Sequence, residues 1–368
     1  MIILSPQLGL SQKSILGGEV FDREILLGLA KNGIKIEIIL PKGKPHDENI
    51  KNWHVTCLPI SHFPAQFFNF LIIPQLLKLR NKNIQIIRLH QPQFMFIAAI
   101  LFKFFSPNVK TLATYHKFEE TNFGFLSKAV NNFWDHIICD SDTVKIKIED
   151  KFQVDPGKIT VVHNGVPSYL KPGSKDKSLE RKLKLEGKIV LLFMGLFIER
   201  KNPLFIIDAL AKLSETNSNV VLVFWGEGPL KEKIVKRAGE LNIAEKIRFI
   251  APVFGPKKNK IHNLADIFVH PSLDEGFALA PLEAMVCAKP VVMTDGYSAR
   301  EAVINGYNGY LCRPNDIKDW VNKLSRLISD KNLRAKMGKN SYSKAKKEFS
   351  WNQAVEKHVE VLRSLNEH

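Results

Sequence analysis

Short apolar runs alternate with amphipathic stretches along the whole chain, and this alternation constrains the fold more than any other feature. MIILS (1–5), IKIEIIL (34–40), IQIIRLH (84–90), KTLATYH (110–116) and HIICDS (136–141) each read as a buried strand. Between the first two, EVFDREILLGLAKNG (19–33) has helical period and closes on Asn-Gly, as a helix C-cap does. The pattern then repeats with KIVLLFMG (188–195), NVVLVFWG (219–226), KIRFIAP (246–252), ADIFVHPS (265–272) and KPVVMTD (289–295). Parallel strands need a long crossover, and a helix supplies it, so strand–helix–strand units build doubly wound parallel sheets. Two such series predict an α/β chain of two Rossmann-like domains, and 368 residues is too long for one ordinary core. Turn residues and lysines replace the apolar period near 167–185. The domains expected are therefore 1–167 with 350–368, and 168–349. A last helix, SWNQAVEKHVEVLRSLN (350–366), follows the second series.

Composition narrows the class. Hydrophobic residues make up 45% and charged residues 24%, which fits a folded globular protein rather than a disordered one. Cys57, Cys139, Cys287 and Cys312 are far apart and form no CxxC pair, so reduced thiols and no zinc site are expected. The N-terminus lacks the basic start and apolar core of a signal peptide. The most apolar run, FMFIAAILFKFF (94–105), is interrupted by Lys103 and too short to span a bilayer. The expected location is cytoplasmic. The net charge is +16; residues 1–167 carry 19 Lys/Arg against 14 Asp/Glu, leaving +11 for the rest. That surplus lies in KPGSKDKSLERKLKLEGK (171–188), PKKNK (256–260) and KAKKE (344–348), and spread charge reads as solvated surface. With no zinc-finger spacing and no RNP-like aromatic motif, nucleic acid is not an expected partner.

In an open parallel sheet, ligands bind beyond the carboxyl ends of the strands. His90, His116, Gly195, Gly226 and the stretch after His270 fall there. That stretch includes DEGFALAPLEAM (274–285), which sets Glu275 before a glycine and Glu283 after a proline. Pro281 suits the first helical position, which would put Glu283 in the first turn and leave backbone N–H groups around 276–279 able to meet an anion. Such carboxylates are not the facing couple of a glycoside hydrolase. They fit hydroxyl recognition beside a phosphate site, or a capped helix carrying two helix-favouring acids.

The neighbours of the pair carry a resemblance. HPSLDEGFALAPLEAMVCAKPVV (270–292) resembles the E-x7-E signature of the retaining, GT-B-fold glycosyltransferases of group 1, family four. VVHNGV (161–166), LLFMGLFIERKNP (191–203), WGEGPLKEKI (225–234) and AREAVINGYNGYLCRP (299–314) match in order, with LGGEV (16–20) and TYHKFE (114–119) in the first half. The resemblance implies a retaining hexosyltransferase whose two Rossmann-like domains face a cleft, with the C-terminal helix crossing back to the first. It implies a UDP- or GDP-sugar donor in the C-terminal domain and no metal or other cofactor. Glu283 would hold the ribose hydroxyls and Glu275 those of the transferred sugar. Gly276, Phe277, Ala278 and Leu279 would lie against sugar and diphosphate, with Gly195 and Gly226 also around the donor. Lys201 and Arg200 would neutralise the leaving diphosphate, whose charge grows in the transition state. Gly17 and Gly18 would let the first loop approach the phosphates, and His116 would sit by the sugar. The sequence departs from the family at Leu196, where many members have arginine, and Arg200 is the cation nearest in sequence to replace it.

Retention without a covalent nucleophile implies front-face attack, with the leaving phosphate taking the acceptor's proton. Rival readings are another GT-B activity, such as a nucleotide-sugar epimerase, and a non-catalytic sugar- or lipid-binding relative. CDSDTV (139–144) holds an Asp-x-Asp, read here as a helix N-cap at Ser141 or Asp142 rather than a metal site. The acceptor would be a lipid, a lipid-linked glycan or a polysaccharide precursor of the cell envelope. Residues 61–133 hold 13 of the 24 phenylalanines, and HFPAQFFNFLIIPQLLKLRNK (62–82) ends in Lys78, Arg80 and Lys82. That segment reads either as a core helix or as a peripheral contact with the inner face of the cell membrane, with Phe67 and Phe68 as apolar anchors.

Overall fold

The computed structural model describes residues 1–296 and 298–367. The chain divides into two compact units, one of Met1–Gly165 with the terminal helix from Trp351, the other of Val166–Ser350.

The first unit is a seven-stranded, all-parallel sheet: β1 (Ile2–Pro6), β2 (Lys35–Leu40), β3 (Trp53–Cys57), β4 (Ile86–His90), β5 (Lys110–Tyr115), β6 (His136–Cys139) and β7 (Ile159–Val161), in the order β3-β2-β1-β4-β5-β6-β7. Its helices are α1 (Gly17–Lys31), α2 (Phe68–Leu71), α3 (Ile73–Leu79), α4 (Phe96–Phe105), α5 (Ser127–Phe133) and α6 (Asp142–Phe152). The strand order reverses between β1 and β4, where β1 pairs with both β2 and β4. α1 closes at Asn32, and Gly33 takes a φ of +81°, the left-handed turn that the Asn-Gly pair announces.

The second unit is a six-stranded parallel sheet: β8 (Ile189–Met194), β9 (Val220–Trp225), β10 (Ile247–Ile250), β11 (Ile267–His270), β12 (Val291–Thr294) and β13 (Gly309–Cys312), in the order β10-β9-β8-β11-β12-β13. Its helices are α7 (Lys177–Lys182), α8 (Pro203–Ser214), α9 (Lys231–Glu240), α10 (Lys257–Leu264), α11 (Leu279–Val286), α12 (Ala299–Ala302), α13 (Ile317–Ser329) and α14 (Lys331–Glu348). β9 is buried at all six positions, as a strand covered by helices on both faces must be. α15 (Trp351–Glu367) belongs to the first unit and packs on α1, with Phe21 against Trp351 (5.9 Å) and His358 (5.7 Å).

β3, β7 and β13 have no counterpart among the expected strands. β3 is an edge strand of sequence WHVTC, half exposed along its length, so it lacks the apolar run used as the signal. β7 has three residues and β13 four, too few to show a period. Between 62 and 82 the helices are short, and Phe68 is wholly buried while Phe67 is exposed. Phe68 is thus a core residue, and the outward anchors lie elsewhere on these helices.

Candidate active site

The second sheet reverses order between β8 and β11, which opens a crevice at their carboxyl ends. β8 runs out at Gly195 and β9 at Gly226. Gly226 has a φ of +149°, and a Cβ there would lie 1.9 Å from the Gly195 carbonyl oxygen, so only glycine fits. Beyond β8, a short 3-10 turn carries Glu199–Lys201. The Arg200 carbonyl accepts from the Leu273 N–H (2.8 Å), with Ser272 Oγ 3.0 Å away. These contacts tie the loop after β8 to the loop after β11 and bring Arg200 and Lys201 onto Glu275.

Glu275 is the centre of this cluster. Its Oε1 takes the Lys201 ammonium and the Ser272 hydroxyl (2.7 Å), with His270 Nε2 at 3.4 Å. Its Oε2 accepts from Arg200 (3.1 Å), which also donates to the Asp274 carbonyl (3.1 Å). The carboxylate is 14% exposed. Burial alone would raise its pKa, but the Lys201 charge, then His270 and Arg200, outweigh burial and hold it well below the usual carboxylate range. Burial lowers the His270 pKa, so that ring stays neutral while Glu275 stays ionised. The result is a fixed acceptor with two cations at its side.

Glu283 is held differently. α11 starts at Leu279, with Ala278 as an N-cap that makes no side-chain bond. Pro281 is therefore the third helical residue rather than the first, still among the positions whose N–H lacks an intrahelical partner. Glu283 consequently falls in the second turn, not the first, and is buried. Lys258 on α10 reaches both its oxygens (2.6 and 2.5 Å), and His262 Nε2 lies 3.4 Å from Oε2. Burial pushes the Glu283 carboxyl up, but the Lys258 charge and the His262 contact take it down to about 2. Lys258 also stands over the Trp225 ring at 5.4 Å.

Lys258, His262, His270 and Ser272 are site residues that the sequence reading passes over. Lys258 lies in PKKNK, taken above as solvated surface; its side chain is 19% exposed and ion-paired. Its only sequence signal is that 258 and 262 are four apart and so share one helix face.

A small open concavity lies beside the cluster, lined among others by His270, Glu275, Phe277, Ala278, Met293 and Ser298. The Ser298 hydroxyl donates to the Gly276 carbonyl and closes the loop from the far side. The structure thus gathers Arg200, Lys201, Glu275, Gly276, Phe277, Ala278 and Leu279 at one strand edge. Glu283 is not among the walls of the concavity; it sits in its own pair between α10 and α11.

In the first unit, Gly17 and Gly18 open α1, which has no side-chain cap. A Cβ on Gly18 would stand 3.3 Å from His90 and 3.7 Å from His116, so the helix start lies against both rings. Both nitrogens of His116 face protein groups: Nε2 is 3.1 Å from His90 Nδ1, and Nδ1 is 3.6 Å from Asp140. Burial works against a charged His116, but Asp140 and Glu120 raise its pKa above the ordinary value. His90 is held down to about 3, chiefly by burial. Asp22 lies 3.3 Å from His90 and 2.6 Å from the buried Arg88. Asp22, His90 and His116 have the spacing of a metal cluster, yet a cation there would face the Arg88 guanidinium. In CDSDTV the cap is Ser141, whose hydroxyl accepts from the Val144 N–H (3.3 Å).

Solved structures share this architecture. Sucrose-phosphate synthase from Thermosynechococcus elongatus superposes with a TM-score of 0.84 over 99% of this chain and 98% of its own, at 19% identity. HepE of Anabaena, solved with UDP and glucose, gives 0.81 over 98% and 99% at 17% identity. The fold is therefore GT-B. Residues 15–168 match the family described as Glycosyltransferase Family 4 and residues 174–344 that described as Glycosyl transferases group 1, so the chain belongs to the group 1 glycosyltransferases. A D-inositol 3-phosphate glycosyltransferase of Stackebrandtia nassauensis is 29% identical over 60% of this chain and 52% of its own length. An uncharacterised glycosyltransferase of Methanocaldococcus jannaschii is 29% identical over 63% and 59%. The chain thus spans only a little over half the length of these relatives.

Proposed function

We propose that the chain transfers a hexosyl group from a nucleotide-sugar to a hydroxyl acceptor, with retention of configuration and without a metal. The carrying observation is Glu275, ionised and fixed by Lys201, Arg200, His270 and Ser272 in the lining of the concavity. A carboxylate in that state accepts hydrogen bonds from sugar hydroxyls. The two cations beside it offset the charge that develops on a departing diphosphate, the work a divalent ion would otherwise do. Backbone N–H groups of Gly276 to Leu279 at the uncapped start of α11 extend the anion site. Glu283, kept ionised by Lys258, takes the ribose hydroxyls. In this reading Gly17 and Gly18 approach the donor phosphates and His116 the transferred sugar. Attack comes from the face that the leaving group vacates, and the leaving phosphate accepts the acceptor's proton. Uridine is the favoured base, since HepE is solved with UDP and with UDP-glucose.

A panel of UDP-, GDP- and ADP-sugars tests the donor by thermal shift. One class should raise the apparent melting temperature by mass action and be consumed in the presence of EDTA. Product NMR should then show the donor's anomeric configuration kept. No stabilisation by any nucleotide-sugar would overturn the reading. Activity lost to EDTA and restored by manganese would overturn its metal-free part, and an inverted product its front-face part.

A further inference from the structure

The first unit carries an apolar surface joined to an unusual gap in its charge. Residues 49–118 contain no aspartate or glutamate, although the chain averages about one per ten residues (37 in 368), and they carry eight Lys/Arg: Lys51, Lys78, Arg80, Lys82, Arg88, Lys103, Lys110 and Lys117. Within this run, α2 and α3 bury Phe68, Ile72, Leu76 and Leu79 in the same core as Ala98, Ala99 and Phe102 of α4. The helices pack on one another, so their outer faces adjoin. Those outer faces are apolar where a solvated helix would be polar. On one side, Phe67, Phe70, Pro74 and Leu77 recur at helical spacing, with Phe67 at 52% and Phe70 at 57% exposure. On the other, Leu101, Phe104 and Phe105 share a face of α4, with Phe104 at 77%.

A third element extends the patch. Phe123 rests on Phe96 at the start of α4 (4.9 Å), which sets the turn Gly124–Leu126 beside that helix. Phe125 at its tip is 96% exposed. Lys78, Arg80 and Lys82 stand exposed at the end of the α3 segment, Lys82 meeting Glu37 at 3.0 Å. Phenylalanine and leucine pointing outward from two adjoining helices are costly in water and match the acyl boundary of a bilayer. Arg88 is buried on Asp22, Lys103 is paired with Asp135 and Lys82 with Glu37, so the exposed Lys78 and Arg80 beside this face are the cations that match the bilayer's anionic headgroups.

We infer that the outer faces of α2, α3 and α4, with Phe125, dock on an anionic lipid bilayer. No helix of the described residues is long and apolar enough to cross a membrane, so the contact is interfacial. This deepens the acceptor side of the proposed function, because an enzyme seated on a bilayer draws its acceptor hydroxyl from a lipid or a lipid-linked glycan.

Co-sedimentation with phosphatidylglycerol vesicles and with phosphatidylcholine vesicles tests the docking without any turnover, so its failure and the failure of the glycosyl-transfer reading are told apart. The full chain should pellet with phosphatidylglycerol at low salt, far less with phosphatidylcholine, and should be released by about 0.5 M salt as screening shortens. Phe104→Ser/Phe105→Ser should lower partitioning roughly tenfold or more, while melting temperature and nucleotide-sugar stabilisation stay as in the wild type. Phe67→Ser/Phe70→Ser, on the neighbouring helix, should do the same. No binding to phosphatidylglycerol at low salt would overturn the inference, as would wild-type binding by both variants or equal binding to the two lipids. A concentration-dependent dimer that both variants abolish, without vesicle binding, would assign the face to a second copy of the chain and overturn it too.

Discussion

Lys258→Met removes the one ammonium that reaches both oxygens of a buried carboxylate, and its consequence can be worked out from the Glu283 environment. The ordinary glutamate value is 4.5 and the folded value is about 2, with the side chain 6% exposed. At about 1.4 kcal/mol per pH unit of difference, ionised Glu283 favours the folded state by about 3 kcal/mol at neutral pH. Because the folded value is depressed, this stabilisation is complete above about pH 4.5 and is lost as pH falls through 2, so less than half of it remains at pH 3. The variant leaves the carboxylate buried with His262 as its remaining close partner, so it should lose about 3 kcal/mol at pH 7 and clearly less at pH 3. The contact between Lys258 and the Trp225 ring contributes roughly 0.5–1 kcal/mol at both pH values and sets the residual. Lys258→Met/Glu283→Gln should recover most of the loss, because both charges leave together. Urea unfolding read by hydrogen exchange of amides in 166–350 isolates this unit's transition from that of the other. A single variant as stable as the wild type at pH 7, or equally destabilised at pH 7 and pH 3, would refute the argument.

Other outcomes follow from the same geometry. Lys201→Ala should lower kcat more than it weakens binding of the free nucleoside diphosphate, since the charge it meets is largest in the transition state; Arg200→Ala reports the share of the second cation. Near-normal kcat/KM in both single variants would place the diphosphate elsewhere. Gly226→Ala puts a methyl 1.9 Å from the Gly195 carbonyl and should cost at least ~2 kcal/mol. A melting temperature unchanged by that substitution would show that the two loops do not need the close approach.

The fold was legible where burial is continuous. β1, β4 to β6, β8, β9, β11 and β12 are buried at every position or all but the first because helices cover both faces, and most announce themselves as apolar runs; β2 and the edge strand β10 are less buried but keep enough isoleucine, leucine and phenylalanine to read as strands. β3 is half exposed and alternates Trp53, Val55 and Cys57 with His54 and Thr56, and its pairing with β2 is what makes it a strand. Local sequence holds no record of that partner.

The candidate site divides in the same way. Glu275, Gly276, Phe277 and Ala278 lie in one segment, and Ser272 and His270 are within five residues of Glu275, so the loop after β11 carries most of its own cluster. Lys201 and Arg200 come from 74 and 75 residues away, and only the strand order that sets β8 beside β11 delivers them. Lys258 shows the limit more sharply. In PKKNK it has the same charge and the same neighbours as lysines that face solvent, and nothing in that pentapeptide distinguishes it. What makes it part of the site is that α10 turns residues 258 and 262 toward a carboxylate 25 residues later, across the gap to α11. A cation is assigned to solvent or to a buried acid by tertiary packing, and a surplus of positive charge read along the chain therefore overstates the charge free to meet a partner. The acid-free run 49–118 obeys the same rule: packing takes Arg88 to Asp22, Lys103 to Asp135 and Lys82 to Glu37, and of its cations Lys78 and Arg80 are the ones that stand exposed beside the apolar face.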